Sequence, residues 1–528
     1  MLRNKFLKSA LLGGAILIAG SALAQQDASQ ALLDLLVKKG LVTPQEAADL
    51  RAQAQANAAA QSNAAAQAPS TPPMPPGGMA PAPTAASPAP VVAVPSKYSS
   101  PLAFSIGSAT FTPYGFLDMT GVYRSALDGG GIGSSFGSIP YSNTASAQLS
   151  ETRFSVQNSR LGLKADSMIG DWKVLGLVET DFLGNAPTNI NVASNSDVLR
   201  VRLYYADLRN GPWEFLAGQA WSLMTPNRKG LSPLPSDIFY TQDMDTNYQV
   251  GLIWGRTPSL RAIYHATDEL TMGISAENPD QYVGGGVVLP SNFTATQVDQ
   301  GANGTVTANT VPDMVGKIAY DTKFGDLPFH AELAGLYRRF EINTYVPASG
   351  LNADADANGY GGSFNMIANV APSFELIENA FAAKGGGRYE STGLGPDFIV
   401  TPANASGVDQ IRTVYTYADM FGAEWDATPM SKFYGYFGQV YYGKATAQQS
   451  NGSFVGYGYT GSSTSDNKLI EEYTLGLTQT LWKSPTAGDL KLLLQYSYLS
   501  RDPLYVAPNT PSNAHLNMFY FDFRYDLP

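Results

Sequence analysis

Cysteine is absent from all 528 residues, and histidine occurs only three times. The missing cysteines exclude a disulfide framework, thiolate metal sites and cysteine nucleophiles. Charged residues are scarce too, at 15% of the chain against the roughly 25% usual in soluble domains. Long apolar runs are also lacking, since no stretch reaches the roughly 18 residues that a membrane-spanning helix needs. The net charge of −11 and isoelectric point near 4.8 argue against nucleic acid as a partner.

Aromatic residues and glycine are abundant instead, with 29 Tyr, 24 Phe and 52 Gly at a mean hydropathy of −0.11. A chain that alternates lipid-facing and water-facing residues averages to such a neutral value, and interfacial girdles call for many aromatics. The N-terminus reads separately. Arg3, Lys5 and Lys8 precede an apolar run from Ala10 to Ala19, and Ala22-Leu23-Ala24 follows as a small-x-small cleavage site. This pattern predicts a secretory signal peptide over residues 1–24.

Residues 25–65 form a polar, Ala-rich segment in which Leu32, Leu35, Leu36 and Val37 recur at helical spacing before Gly40. Thr43, Pro44 and Glu46 then supply a second helix start with a capping-box pattern. A periplasmic helical hairpin or short coiled-coil stem is expected, with a frayed segment as the alternative. Over residues 66–105 the composition turns to Pro, Ala, Ser and Gly, with eleven prolines from Pro69 to Pro101. That run cannot build a core and predicts an extended linker.

From residue 106 to 528 the chain becomes ten-residue stretches of period-two alternation, separated by alternately short turns and long Gly/Ser/Asn/Thr-rich loops. Strands are expected near 111–124, 151–165, 172–182, 198–208, 213–224, 249–266, 270–278, 312–323, 328–342, 360–373, 376–388, 411–428, 432–445, 468–482, 489–501 and 514–527. The last is the clearest: Phe519, Phe521, Phe523, Tyr525 and Leu527 share one face, and Tyr520, Asp522, Arg524 and Asp526 the other. Sixteen strands, with eighteen as the alternative count, predict an all-β transmembrane antiparallel barrel, preceded by a short helical segment, with both termini periplasmic.

A charge facing lipid at mid-membrane costs a few kcal/mol, so apolar residues set the direction of each strand. Leu161 and Leu163 point outward, which turns Arg160 and Lys164 inward. Leu199, Val201 and Leu203 point outward, which turns Arg200 and Arg202 inward. Glu179 and Asp181 are expected on the lumen wall beside them. The third long loop, Thr225 to Asn247, carries Asp237, Asp243 and Asp245.

These pieces resemble the trimeric Gram-negative porins. The stretches that carry the likeness are FTPYGFLDMTGVY, NSRLGLKA followed by GDWKVLGLVETDF, LRVRLYYADL and LAGQAWSL. The stem and linker resemble the DcaP-like branch, whose members carry an N-terminal periplasmic coiled coil. The resemblance implies a homotrimer in outer-membrane lipid and lipopolysaccharide that passes small hydrophilic solutes, organic anions such as dicarboxylates among them, without a cofactor. It also implies that the third loop folds into the barrel, setting Asp237, Asp243 and Asp245 across a constriction from Arg160, Arg200 and Arg202. The alternative role for those arginines is to hold the loop by ion pairing. Two departures stand out: the loop lacks a Pro-Glu-Phe-Gly-Gly run, and the chain ends Asp526-Leu527-Pro528 rather than on Phe.

Other signals are weak. Gly133-Ser134-Ser135-Phe136-Gly137 has the nucleophile-elbow spacing without its strand-to-helix context. His265, His330 and His515 fall on separate strands. Asp354, Asp356, Asn358 and Gly359 begin a calcium-loop pattern, but Asn365 stands where a Glu belongs, so a flexible acidic loop is expected. No enzyme is predicted. A structural barrel or adhesin tethered to the envelope by the stem is the alternative to a channel.

Overall fold

The computed structural model describes residues 100–184, 198–301, 306–390 and 395–528. The signal peptide, the stem and nearly all of the linker expected from the sequence lie outside them. Sixteen strands form one closed antiparallel wall: β1 (Ala109–Arg124), β2 in two segments (Glu151–Ser155 and Arg160–Ile169), β3 (Trp172–Gly184), β4 (Val198–Asn210), β5 (Trp213–Trp221), β6 (Arg256–His265), β7 (Leu270–Glu277) and β8 (Asp313–Phe324) make the first half. The second half is β9 (Leu327–Val346), β10 (Leu351–Ala371), β11 (Phe374–Lys384), β12 (Tyr415–Thr428), β13 (Ser431–Tyr442), β14 (Asn467–Ser484), β15 (Gly488–Pro503) and β16 (Ala514–Asp526). Each pairs with its chain neighbour, and β1 closes the ring on β16 from Phe116↔Asp526 to Arg124↔Met518. A short strand, Phe104–Ile106, folds back on β1.

One end of the wall is made of tight turns. Gly170, Gly211 and Gly325 hold positive φ of 59°, 55° and 66° as the first central residue of two-residue connections, which is the type II′ turn that matches strand twist. The turn expected over Asp166 to Asp171 is accordingly shorter, because β2 runs on to Ile169. At the other end β9 and β10 span 20 and 21 residues, about twice the 9–11 needed to cross a bilayer. Asp354 and Asp356 therefore sit in β10, paired with Asn343 and Glu341. They are not in a flexible acidic loop, as the sequence had suggested.

The outer face carries Leu199, Leu260, Leu333 and Leu475, all exposed, among Tyr, Trp and Phe. A closed wall with that belt satisfies its backbone internally and suits hydrocarbon. The interior is not an empty tube. Leu175, Leu177, Leu203, Leu216 and Ile377 of the wall pack on Ile238, Phe239, Tyr248 and Leu252 of the long β5–β6 connection. Two further hairpins, Phe398–Thr401 with Gln410–Thr413 and Ala445–Gln448 with Phe454–Tyr457, pair apart from the wall, in the β11–β12 and β13–β14 connections.

Candidate functional site in the barrel throat

Strand register sets a row of charge across the wall. Arg160 lies beside Asp181, and Asp181 beside Arg200. Arg200 donates two bonds to Asp181, Nε to Oδ1 at 3.0 Å and Nη2 to Oδ2 at 2.7 Å. Arg202 donates to Glu179 Oε1 at 2.7 Å and to Asp181 Oδ2 at 2.9 Å. These are charge-assisted pairs, one of them bidentate, of the strong kind.

The β3–β4 register slips between Glu179 and Thr180, so Glu179 opposes Leu203 while Thr180 opposes Val201. The extra residue at Arg202 reverses the alternation beyond it. Leu203 is 0% exposed and faces the lumen, which corrects the outward placement drawn from uninterrupted alternation. Lys164 pairs with Asp166 at 3.2 Å and lines a separate basin with Lys173, Lys229 and Asp237.

The third loop, residues 222–255, crosses the lumen. A buried segment must find partners for its backbone N–H groups, and the opposite wall supplies them. Asn227 N donates to Glu332 at 3.1 Å, Met244 N to Gln495 at 2.8 Å, Val250 N to Glu472 at 3.0 Å and Ile253 N to Asn379 at 3.0 Å. Arg228 spans Glu375 and Glu424, 3.0 Å from each. On the return leg Val250 O lies so close to Gly438 that a Cβ there would overlap it.

The three loop aspartates part company. Asp237 ends a short 3-10 turn, Pro235–Asp237, and lines the basin away from the arginine row. Asp245 accepts from Ser134 N at 3.0 Å, Asn247 N at 2.8 Å and Tyr520 OH at 2.9 Å, tying the loop to the first loop and to β16. Asp243 accepts from Thr241 Oγ1 at 3.1 Å, while its buried Oδ1 has no hydrogen-bond partner. Burial, together with the Asp245 carboxylate, pushes the Asp243 carboxyl well above its ordinary pKa. Asp243, Asp245 and Arg160 line one cavity of about 110 Å³ with Lys491, Arg524, Tyr240, Tyr248 and Phe116. Arg200 and Arg202 are instead turned to Asp181 and Glu179.

Phe116, Tyr248, Trp254 and Arg256 join the expected Arg160 at this throat. The guanidinium groups of Arg160 and Arg524 lie 5.2 and 4.3 Å from the Phe116 ring centre. Tyr248 has a left-handed backbone, φ 59°, a conformation that bulky side chains rarely adopt. Its hydroxyl accepts from Arg160 Nη2 and Arg202 Nη2, both at 3.4 Å. Burial raises its pKa, but Arg160, Arg202 and Arg256 outweigh that effect and bring it down to about 8. Arg256 lies 5.3 and 5.6 Å from the Trp221 and Trp254 ring centres, and its Nη1 is buried without a partner. Among the described residues, neither Arg160 nor Arg256 has a carboxylate partner. Arg256 shares the parity of outward Leu260 and Tyr264, so alternation hides it, and the signal that could have found it is its place beside Trp254 at the end of the loop.

No family model and no curated protein sequence matches the chain. Solved structures do. The outer membrane channel DcaP of Acinetobacter baumannii superposes with a TM-score of 0.55 at 16% identity, covering 80% of this chain and 98% of that one. An anion-selective porin from Comamonas acidovorans overlaps more loosely, with a TM-score of 0.44 at 13% identity over 79% and 100% of the two chains. The likeness to DcaP establishes a shared fold.

Proposed function

We propose that this chain is an outer-membrane porin through which small hydrophilic solutes, organic anions such as dicarboxylates among them, diffuse down their gradients. The observation that carries the reading is the third loop's passage across a closed barrel, which leaves a small polar throat. Arg160, Lys491 and Arg524 face Asp243 and Asp245 there. A transverse field across so narrow an opening aligns charged solutes and favours one sign. Arg200 and Arg202 are already offset by Asp181 and Glu179, so an anion is drawn in without being held, as conduction requires. Glu179 and Asp181 thus temper the row, and Asp237 and Lys164 act at the basin mouth.

The DcaP fold supports an outer-membrane location, and the sequence resemblance supports a homotrimer with its N-terminal stem in the periplasm. The test is ionic current through full-length protein in planar bilayers under a salt gradient. Stepwise openings in groups of three and an anion-directed reversal potential are expected. A structural barrel or adhesin is the second reading, favoured by the filled outer half, where Arg338 is fully buried between Asp313 and Asp397 at 3.0 and 2.6 Å. Barrels that insert and carry no current would establish that reading instead.

A further inference from the structure

We infer that Tyr248 is the proton-controlled counter-group of the throat: its phenol leaves Arg160 and Arg256 free to receive an anion, and its phenolate takes the anion's place between them. The inference rests on the channel reading. It starts from a charge imbalance. Four guanidinium groups, Arg160, Arg200, Arg202 and Arg256, gather at this level, and two carboxylates, Glu179 and Asp181, answer Arg200 and Arg202. The two arginines left over both act on one group, the Tyr248 hydroxyl.

The loop is built to hold that ring in place. Tyr248 N donates to Asp245 O at 3.0 Å, and Asp245 is itself fixed by Ser134, Asn247 and Tyr520. On the other side Gln249 Nε2 donates to Glu472 O at 3.1 Å and Val250 N to Glu472 Oε2 at 3.0 Å. Between these clamps the backbone is forced left-handed, as strained residues at functional sites often are. Trp254 meets the ring edge-on at 5.1 Å, and Tyr240 and Trp221 lie 5.6 and 6.3 Å from it. The ring cannot turn away from the arginines.

Arg160 from β2, Arg202 from β4 and Arg256 from β6 act on the phenol; Glu179 and Asp181 from β3 and Arg200 from β4 belong to the same bonded row; Tyr240 of the loop packs on its ring; and Asp243 and Asp245 of the loop, Lys491 of β15 and Arg524 of β16 line the cavity it shares. At 3.4 Å both bonds to the hydroxyl are long, so guanidinium N–H groups remain for a passing carboxylate. Loss of the phenol proton turns a weak acceptor into a resident anion, and the positive excess of the four arginines over Glu179 and Asp181 halves, from two to one.

The experiment is the reversal potential of full-length protein in a KCl gradient at about pH 7 and about pH 9.5, for wild type and Tyr248→Phe. Wild type should lose anion preference as pH rises, and Tyr248→Phe should keep it. Every other ionisable group is common to both proteins, so the difference isolates the phenol. A wild-type potential that does not move, or a variant that moves as wild type does, overturns the inference. A second measurement needs no current: the near-ultraviolet absorbance of phenolate during a pH titration of the folded protein. One tyrosine should ionise ahead of the rest in wild type and be missing from Tyr248→Phe, and superimposable titrations would overturn the inference. Failure of the channel reading looks different, as folded barrels that show the early phenolate and conduct nothing.

Discussion

At the scale of single residues, the throat separates arginines bonded to carboxylates from arginines with no carboxylate partner among the described residues. Arg202 is 2% exposed and bonded to two carboxylates. Arg202→Ala leaves Glu179 and Asp181 short of a partner, and breaking a buried pair in this way costs about 3 kcal/mol or more. That variant should therefore lower the temperature at which the barrel stops migrating as a folded species on gels, besides shifting the reversal potential toward cations. Arg160 has no carboxylate to strand, so Arg160→Gln should shift the reversal potential toward cations with thermal resistance nearly unchanged. If the two variants behave alike on both measurements, the division is wrong. Tyr248 adds a pH dependence whose sign is set by its lowered pKa of about 8 against about 10 for a free phenol. A depressed acid favours the folded state once it ionises, so this contribution is present above about pH 10 and lost as pH falls through about 8. Thermal resistance of wild type relative to Tyr248→Phe should rise across that window, and a flat difference would show that the arginines do not lower the pKa of the Tyr248 phenol.

The element that decides the interior is the third loop, and the wall opposite it is shaped to receive it. Gly438 weakens β13 as a strand residue by about 0.5–1 kcal/mol relative to alanine, yet only glycine leaves room for Val250 O. Gly438→Ala should therefore cost stability despite the better strand residue, by about 1–3 kcal/mol for an overpacked contact. It should also change single-channel conductance by displacing the loop's return leg. A variant more stable than wild type with unaltered conductance would show that the loop does not depend on this seat. Strands were the legible elements: each of the sixteen expected segments overlaps a wall strand, the sixth (249–266) only from Arg256 on, because alternation along a half-lipid, half-water surface is imposed residue by residue. The slip at Arg202 was not legible. It leaves Arg200 and Arg202 inward as expected and turns Leu203 inward against expectation, since a bulge is chosen by the neighbouring strand and leaves no mark in the local pattern.

For the molecule as a whole, the wall closes among the described residues. Closure of β1 on β16 and the bond from Ser100 Oγ to Pro528 O at 3.0 Å involve residues from 100 onward. Deleting residues 25–99 should leave heat-resistant β structure by circular dichroism, and loss of that signal would place the domain boundary elsewhere. Comparing conductance steps of the deleted and full-length proteins then tests whether the stem contributes to the expected threefold assembly.

The sequence by itself determined the class of wall, the places of its strands and the inward face of the arginine row, because each follows from which residues tolerate lipid. Tertiary structure alone decided who partners whom inside. Arg200 and Arg202 meet wall carboxylates rather than loop aspartates, Asp237 goes to the basin, and Tyr248, Arg256 and Trp254 converge on the throat. Those choices depend on the path of one loop through a lumen, where contacts join residues far apart in the chain and no local periodicity records them.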